Sequence, residues 1–377
     1  PLLDNSKDLV ADIQYNFEIG NISIVSGIMN QIQLIRTFGT SIPYDVDANY
    51  QGAYSQLDWK LNNNFKFVGS VRFDRSNIHS VQFSPRIAVV YFPEKENQIR
   101  ISFGRSFQRP NYSELYRRTP DAPAFTSLGA PVNFKAIENK IADSIFVLSG
   151  KRPAINLNID SRRAMAVGNP DLKVEKNLGF EIGYKGIFSN SLFITADFYY
   201  NRLSDFITNF LPSVNKSIPA WKADLPADIS QYNSLAEAMV YNSLNIRDKK
   251  RLSVYEGLPV FVVSNANVGK VDQSGFDLGF NYYLTSNFTL SGSYSYYSYK
   301  IVESEINQPL LPNTAPNKFN LSMNYKKIDV YDFTISVRYS AKFDWLAGTY
   351  VGTVPEYFIA NFSGNIRLRE NLSLGTS

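Results

Sequence analysis

Apolar and polar residues alternate one by one along much of this chain. Apolar residues occupy every odd position from Tyr331 to Trp345, and polar residues occupy the even positions between them. The stretches 65–74, 178–188 and 318–326 have the same period of two. Because successive side chains of a β-strand point to opposite faces, this pattern predicts strands with one apolar and one polar face. In the stretch from 331, Ile335 is expected on the apolar face and Ser336 on the polar face.

The same pattern, followed along the whole chain, predicts an all-β fold of about fourteen strands. Most of these strands have about 12 or more residues, which is longer than the usual strand of a globular sheet. Their expected positions are near 8–19, 22–32, 47–61, 64–75, 82–93, 97–107, 173–189, 191–206, 263–286, 288–300, 316–327, 331–345, 355–367 and from 371 onward.

The connections between these strands alternate between tight polar turns and long loops. Gly20-Asn21, Ser189-Asn190 and Ser286-Asn287 are examples of the tight turns. The long loops are 33–46, 76–81, 108–172, 207–262, 301–315 and 346–354. The two longest, 108–172 and 207–262, contain apolar residues at helical spacing within 133–149 and 228–244, which predicts short helices there. This alternation predicts an antiparallel up-and-down meander with all tight turns at one end.

Two architectures fit such a meander: a transmembrane β-barrel and a soluble sandwich, barrel or propeller. The long strands and the abundance of aromatic residues on their apolar faces favour the barrel. The chain has 3 Trp, 24 Tyr and 27 Phe, and many stand near predicted strand ends, where outer-membrane barrels carry aromatic girdles. We therefore expect a transmembrane antiparallel β-barrel in contact with the lipid bilayer of a bacterial outer membrane.

Other classes of protein fit the composition poorly. The longest apolar runs, such as 87–92 and 259–263, are too short for a membrane helix. The first residues lack the basic and apolar regions of a signal peptide, so a signal was removed or the chain starts within a longer protein. A net charge of +4, spread along the chain, argues against a nucleic-acid partner. With no Cys and one His, thiolate and multi-histidine metal sites are excluded.

The sequence offers little chemistry for catalysis, and the chain is expected not to be an enzyme. No nucleophile-elbow, phosphate-loop or dinucleotide motif is present. His79 stands in a short polar loop and is interpreted as ordinary surface, although a barrel hydrolase would need only one His. Asp45, Asp47 and Asn49 have the spacing of a calcium loop but lack its later ligands. We predict no catalytic residue, no metal site and no cofactor.

Two sets of polar and aromatic residues are candidates for binding. A basic and aromatic cluster lies along the predicted strand 97–107 and its exit, where it is either a rim of interfacial anchors or a patch that contacts a ligand. Its predicted ligand-binding members are Arg105, Arg109, Tyr112, Tyr116 and Arg117. The second set is expected to point from the polar faces into the barrel lumen. It consists of Arg72, Glu181, Asp277, Lys318 and Arg338.

Three stretches resemble the barrel of TonB-dependent outer-membrane receptors, especially those of Bacteroidetes-type bacteria. The first runs from Gln82-Phe83-Ser84-Pro85-Arg86 to Arg100-Ile101-Ser102-Phe103-Gly104-Arg105 and Pro110. The second is Gly168-Asn169-Pro170-Asp171-Leu172-Lys173-Val174-Glu175, where Val174 replaces the usual Pro of the family. The third is Leu311-Pro312-Asn313-Thr314-Ala315-Pro316-Asn317-Lys318-Phe319, at the entry to a strand.

The resemblance implies active import, in which loops capture a ligand from outside and TonB relays energy to a plug domain inside the barrel. The lumenal residues would then face that plug. Barrels of this family have about 22 strands, so residues 1–377 are expected to be a partial, C-terminal barrel domain that lacks the plug, the TonB-contacting region and about eight strands. The final stretch also lacks the terminal aromatic residue of such barrels.

Alternative functions remain open from the sequence. One is a passive porin-like channel complete in fourteen strands. Another is the barrel component of an outer-membrane assembly or secretion complex, with 108–172 and 207–262 as docking surfaces. A surface lipoprotein or another protein is a possible partner of these two loops. The loops contain no readable code for the ligand.

Overall fold

The computed structural model describes residues 3–304, 311–347, 350–370 and 372–376. Most of this part of the chain is β-structure. Its strands are β1 (Lys7–Ile19), β2 (Ile22–Ile35), β3 (Val46–Lys60), β4 (Phe65–Ser76), β5 (Gln82–Glu94), β6 (Asn97–Gln108), β7 (Arg118–Pro120), β8 (Ala164–Val167), β9 (Glu175–Phe188), β10 (Leu192–Ile207), β11 (Leu252–Tyr255), β12 (Leu258–Val263), β13 (Asn267–Tyr283), β14 (Phe288–Glu303), β15 (Asn317–Lys327), β16 (Tyr331–Ser340), β17 (Phe343–Ala347), β18 (Tyr350–Val354), β19 (Tyr357–Arg369) and β20 (Leu372–Thr376).

Fourteen of these strands form one sheet in the order β1-β2-β3-β4-β5-β6-β9-β10-β13-β14-β15-β16-β19-β20. Each strand lies antiparallel to its neighbour in the order, so the predicted up-and-down meander is confirmed. Tight turns such as Gly20-Asn21 lie at one end of the sheet, here called the turn end. The long connections lie at the other end, here called the loop end.

The two faces of this sheet differ in polarity, as the alternation predicts. Ile335 is 54% exposed, and its register partners Met323 and Phe362 on the neighbouring strands are 43% and 51% exposed. We call the face with these exposed side chains the apolar face. The next residue, Ser336, pairs with Ser322 on the opposite face, which we call the polar face.

The two longest connections fold together rather than forming separate loops. Four helices lie in them: α1 (Tyr112–Tyr116), α2 (Phe134–Ser149), α3 (Asn233–Ser243), which follows a short 3-10 helix (Ala227–Tyr232), and α4 (Ile246–Arg251). They also contain a second sheet in the order β11-β12-β8-β7. Because β12 and β8 come from different connections and pair in parallel, this sheet joins them into one body. We call the segments 109–174 and 208–266 the loop unit.

The loop unit has a dry core of its own. Ile141 and Ile145 of α2 and Phe261 of β12 have no exposed surface, and Trp221 is 5% exposed. Helix α2 presents its apolar stripe to this core and begins at Asn133, whose side chain accepts a hydrogen bond from the backbone N–H of Ala136. The helix predicted within 133–149 is therefore confirmed.

The helix predicted within 228–244 is confirmed as α3, although its first residues form the 3-10 helix. Two features differ from the sequence expectations. The four-stranded sheet in the loop unit was not predicted, because strands of three to six residues are too short to show a period. The predicted strand 331–345 ends as β16 at Ser340, and residues from Phe343 pair in a hairpin with β18 instead. Residues 305–310, which belong to the predicted loop 301–315, lie outside the described residues.

No helix in the described part of the chain is long and apolar enough to cross a membrane.

Candidate ligand-binding site

A cavity of about 700 Å³ opens at the loop end on the polar face. Strands β2 to β6 provide its wall. Its lining includes Gln31, Tyr50, Arg72, Asp74, His79, Phe107 and Arg109. The size falls within the range of small-molecule sites, and aromatic rings with a few charged groups are the usual lining of such sites. We call it the rim pocket.

A chain of hydroxyl groups joins helix α1 to the wall of the rim pocket. The Tyr112 hydroxyl donates to Gln33 Oε1 at 2.8 Å and lies 3.0 Å from the Tyr50 hydroxyl. Burial, together with the hydrogen bond to Tyr50, holds the pKa of Tyr112 well above its usual range. The phenol therefore remains a hydrogen-bond donor at all physiological pH values.

The Tyr50 ring carries a cation on its face. The Arg109 guanidinium carbon lies 3.8 Å from the ring centroid, which is close enough for a cation–π interaction. Below it, Arg72 donates from Nε and Nη2 to Asp74, at 2.9 and 2.7 Å. Because the carboxylate of Asp74 neutralises Arg72, Arg109 supplies the charge that an anionic or aromatic ligand would meet first.

His79 contributes an aromatic ring to the rim pocket. Its ring centroid lies 5.8 Å from those of Tyr50 and Phe107. The Nδ1 atom of His79 lies 2.8 Å from the carbonyl oxygen of Ser80. A carbonyl oxygen only accepts hydrogen bonds, so Nδ1 carries the proton. The sequence predicts that His79 is an ordinary surface residue. In the structure its side chain is half-buried and packs between the two rings.

The structure separates the predicted ligand-binding residues. Arg109 and Tyr112 come together at the rim pocket through Tyr50. Tyr116 packs instead against Tyr44, with ring centroids 5.8 Å apart, and burial raises the pKa of its phenol. Arg117 donates to the Thr119 hydroxyl at 2.7 Å. Arg105 stands opposite exposed Leu178 on the apolar face, away from the pocket.

The predicted lumenal residues all lie on the polar face of the sheet. Glu181 accepts from Arg86, Arg100 and Ser102 at 3.2 to 3.4 Å. Lys318 donates to the Thr314 hydroxyl at 2.9 Å and Arg338 to Asn320 Oδ1 at 3.1 Å. Asp277 pairs in register with Asp197 on β10. Arg72 lines the rim pocket. Their contact with a plug stays a prediction.

Tyr50, Gln33 and Asp74 are site residues that the sequence analysis did not single out. Tyr50 lies on the polar face of β3. It shares this face with Gly52 and Tyr54, two and four residues further along, and the Tyr54 hydroxyl bonds to Asp12. The signal in the sequence is a pair of tyrosines, Tyr50 and Tyr54, at positions of β3 that share a face with Gln56 and Asp58.

Within the described residues, no group of three or more His, Cys, Asp or Glu side chains is placed to hold a metal ion.

The sequence matches the family described as TonB dependent receptor-like, beta-barrel, over residues 4–377. This match spans almost the whole chain. The chain belongs to this family. Its members are transport receptors of the bacterial outer membrane. The predicted membership of the TonB-dependent receptor family is therefore confirmed, whereas the Bacteroidetes-type subgroup stays a prediction.

Solved structures of two receptors and one transporter have the same fold. The ferric enterobactin receptor PfeA of Pseudomonas aeruginosa, in complex with BCV-L6, aligns with a TM-score of 0.63 at 14% identity, over 98% of this chain and 48% of that one. The siderophore receptor PirA of Acinetobacter baumannii gives 0.62 at 12%, over 98% and 49%. The copper transporter OprC gives 0.59 at 14%, over 98% and 50%. This chain thus spans about half the length of these receptors. No curated protein matches its sequence.

The first two family-like stretches meet in the folded chain. Arg86, Arg100 and Ser102 from the first stretch converge on Glu181, which follows the second stretch on β9. Two guanidinium groups on one carboxylate leave the cluster with a net positive charge. Residues from the first two family-like stretches therefore form a hydrogen-bonded network on the polar face.

The second family-like stretch also holds helix α1 in place. A Cβ on Gly168 would lie 2.5 Å from the backbone of Leu115 and Tyr116, so only glycine fits there. The Gly168 N–H donates to Arg117 O at 2.8 Å, and the Asn169 N–H donates to Glu114 O at 2.7 Å. These contacts fix the helix that carries Tyr112 into the rim pocket.

Proposed function

We propose that this chain is the ligand-capturing wall of a TonB-dependent importer. In this proposal the apolar face lies against lipid, the loop end faces the outside of the cell, and the polar face lines the lumen. A plug domain within that lumen and TonB would be the partners for transport. The family match over residues 4–377 supports the general class of function.

The rim pocket is the structural feature that best supports ligand capture by this chain. It lies at the loop end, on the polar face, and it combines the Arg109 guanidinium with the rings of Tyr50, His79 and Phe107. A ligand arriving from outside would meet this pocket before the Glu181 network further along the polar face. The structural relatives named above include receptors for ferric enterobactin and siderophores and a copper transporter. Their ligands are therefore reasonable first probes.

Uptake by a deletion strain that carries the gene on a plasmid tests this proposal. The probes are ferric enterobactin, copper, cobalamin, and labelled glycans and peptides, each with and without a functional TonB. We expect saturable uptake of one probe that disappears without TonB. Uptake that persists without TonB would contradict active import and favour a passive channel.

Variants of the rim pocket locate capture within the protein. Arg109→Gln removes the cation above Tyr50 and, through the loss of one charge-assisted contact to an anionic ligand of ~1.5 kcal/mol, is expected to weaken uptake affinity about tenfold. Arg152→Gln is the matched control, because Arg152 pairs with Asp143 on the surface of the loop unit. Equal uptake by both variants would show that the pocket is not the capture site.

A further inference from the structure

A row of charged side chains crosses five strands on the apolar face. Arg105 on β6 pairs in register with Leu178 on β9, and Leu178 pairs with Arg202 on β10. Arg202 pairs with Asp272 on β13, and Asp272 pairs with Lys300 on β14. Neighbouring strands are about 4.8 Å apart, so Arg105 and Lys300 each stand roughly 10 Å from Arg202 and roughly 19 Å from each other. We call this set the cationic row.

Side chains nearer the turn end on the same strands show that the cationic row faces outward. Two residues before Arg105, Phe103 is 47% exposed. Four residues before Arg202, Phe198 is 45% exposed, and four before Lys300, Tyr296 is 37% exposed. Residues an even number apart on a strand share a face, so the row continues the apolar face toward the loop end.

The row stands where an apolar band of membrane thickness would end. Arg202 lies about ten residues beyond Leu192, the first residue of β10, at the turn end. With a rise of about 3.4 Å per residue and a tilt of about 40°, this places Arg202 about 25 Å above the turn end, which equals the height of the apolar band of outer-membrane barrels. Lys300 lies slightly higher and Arg105 slightly lower on their strands.

The cations of the row outnumber its acids. Arg202 donates to both oxygens of Asp272 at 2.8 and 2.9 Å, and the Tyr200 hydroxyl donates to the same carboxylate at 2.7 Å. Arg105 has no hydrogen bond or ion pair within the described part of the chain, and Lys300 faces Asp272, which Arg202 already neutralises. Two exposed positive charges therefore remain at the level where lipid tails meet headgroups.

On strands β15, β16 and β19 the apolar face carries aromatic residues near the loop end instead of charged ones. Phe319 on β15, Tyr339 on β16 and Phe358 on β19 form an aromatic cluster, with ring centroids 4.7 to 5.9 Å apart. Aromatic rings are the usual anchors at a membrane interface and need no counter-ion. The cationic row is therefore a local feature of β6 to β14 and not a property of the whole edge.

We propose that the cationic row binds the phosphate groups of a phosphorylated glycolipid in the outer leaflet. Arg105 and Lys300, whose charges Asp272 does not neutralise, lie on either side of the Arg202–Asp272 pair, and their long flexible side chains each reach one phosphate of a bisphosphorylated headgroup. The lipid tails then cover the apolar residues on the turn-end side of the row. A headgroup phosphate supplies the missing counter-charge, and each cation near a charged lipid surface strengthens binding about fivefold.

Lipid binding to the protein in non-ionic detergent micelles, measured by native mass spectrometry, tests this site. The probes are bisphosphorylated lipid A, its dephosphorylated form and phosphatidylglycerol. The Arg105→Gln/Lys300→Gln variant removes the two unpaired cations and leaves the Arg202–Asp272 pair intact. The Lys318→Gln/Arg338→Gln variant removes two cations from the polar face and is the matched control. Heat-dependent gel mobility verifies that each variant is folded.

We expect one bound lipid A per chain, at least tenfold preferred over the dephosphorylated form and over phosphatidylglycerol. The Arg105→Gln/Lys300→Gln variant should lose about 25-fold in lipid A affinity, as two cations of about fivefold each predict, and the control should lose less than twofold. Equal binding of the three probes, or equal losses in both variants, would overturn the proposal. The proposal rests on the membrane placement given under the proposed function. Its readout is lipid binding and not uptake, so a failure of lipid binding is distinguished from a failure of import.

Discussion

The fourteen-stranded sheet and the loop unit treat apolar side chains in opposite ways. In the sheet, Ile335 and Leu321 are 54% and 42% exposed. In the loop unit, Ile141, Ile145 and Phe261 have no exposed surface. Both regions use the same residue types, so composition alone does not separate them. The difference lies in the solvent that each region is built to meet.

This contrast teaches where each region obtains its stability. The loop unit gains free energy by removing apolar surface from water, as a soluble domain does. The sheet leaves its apolar face uncovered by protein, and in the proposed membrane placement lipid covers that face. Substitutions in the loop unit should therefore act through protein packing, and substitutions on the apolar face should act through contact with lipid.

The largest expected effect is a loss of stability of the loop unit when a buried ion pair is removed. Arg251 has no exposed side-chain surface and donates to Asp248 at 2.7 Å and to Asp121 at 2.8 Å, which links the two connections. Arg251→Ala removes the closest cation from the buried carboxylate of Asp248, leaves Arg247 Nε at 3.8 Å from it, and should cost about 3–5 kcal/mol in the free energy of unfolding of the loop unit. Fluorescence of Trp221 during denaturation, with the other two Trp replaced by Phe, measures this loss.

The control for this prediction removes an exposed ion pair of the same unit. Arg152 and Asp143 are 51% and 64% exposed, and Arg152→Ala should cost less than about 1 kcal/mol. Similar losses for both variants would show that the ion pairs of Arg251 add no more stability to the loop unit than an exposed ion pair does.

A slightly smaller effect is expected on the apolar face of the sheet. Ile335→Arg places a charge against lipid and should cost about 2–4 kcal/mol near the middle of the bilayer. Ser336→Arg, one residue further along the same strand, points to the polar face and should be much milder. Reversible unfolding in lipid vesicles compares the two, and equal costs would contradict the assignment of the faces.

A cap substitution tests whether the loop unit obeys the rules of soluble helices. The Asn133 side chain accepts from the Ala136 N–H at 3.1 Å at the start of α2. Asn133→Ala should cost about 1 kcal/mol, measured by the same Trp221 fluorescence. The mid-helix substitution Ser144→Ala, at a partly exposed position, should change stability by less than about 0.5 kcal/mol. An effect of Asn133→Ala no larger than that would sink the idea that this cap stabilises α2.

The smallest expected effect concerns pH at helix α1. Burial raises the pKa of Glu114 above its ordinary value of 4.5, against the opposing hydrogen bond from the Asn111 backbone. A raised pKa in the folded state means that folding favours the protonated carboxyl. Stability from this group is therefore present below about pH 4.5 and is lost as pH rises through the raised value.

Denaturation of the wild type and of Glu114→Gln between pH 4 and 7 measures this dependence, and the difference between them should grow in favour of Gln as pH rises. A difference that shrinks over this range would contradict the sign.

The sequence predicted the sheet better than the loop unit for a physical reason. A period of two over ten or more residues, as from Tyr331 to Ser340, depends only on local geometry and is visible in one chain. The parallel pairing of Phe261 with Ala164 joins residues almost a hundred positions apart, and no local pattern encodes it. Arg109 and Tyr112 were predicted because they are close in sequence, whereas Tyr50 joins them only through the folded sheet.

The central claim is that the apolar face meets lipid and the polar face meets water. The chain contains no Cys, so single cysteines introduced at positions 331 to 340 can each carry the only nitroxide label. In lipid vesicles, we expect collision rates with oxygen to peak at odd positions such as Ile335, and rates with a water-soluble nickel complex to peak at even positions such as Ser336. In-phase profiles, or water accessibility at Ile335 as high as at Ser336, would contradict the account.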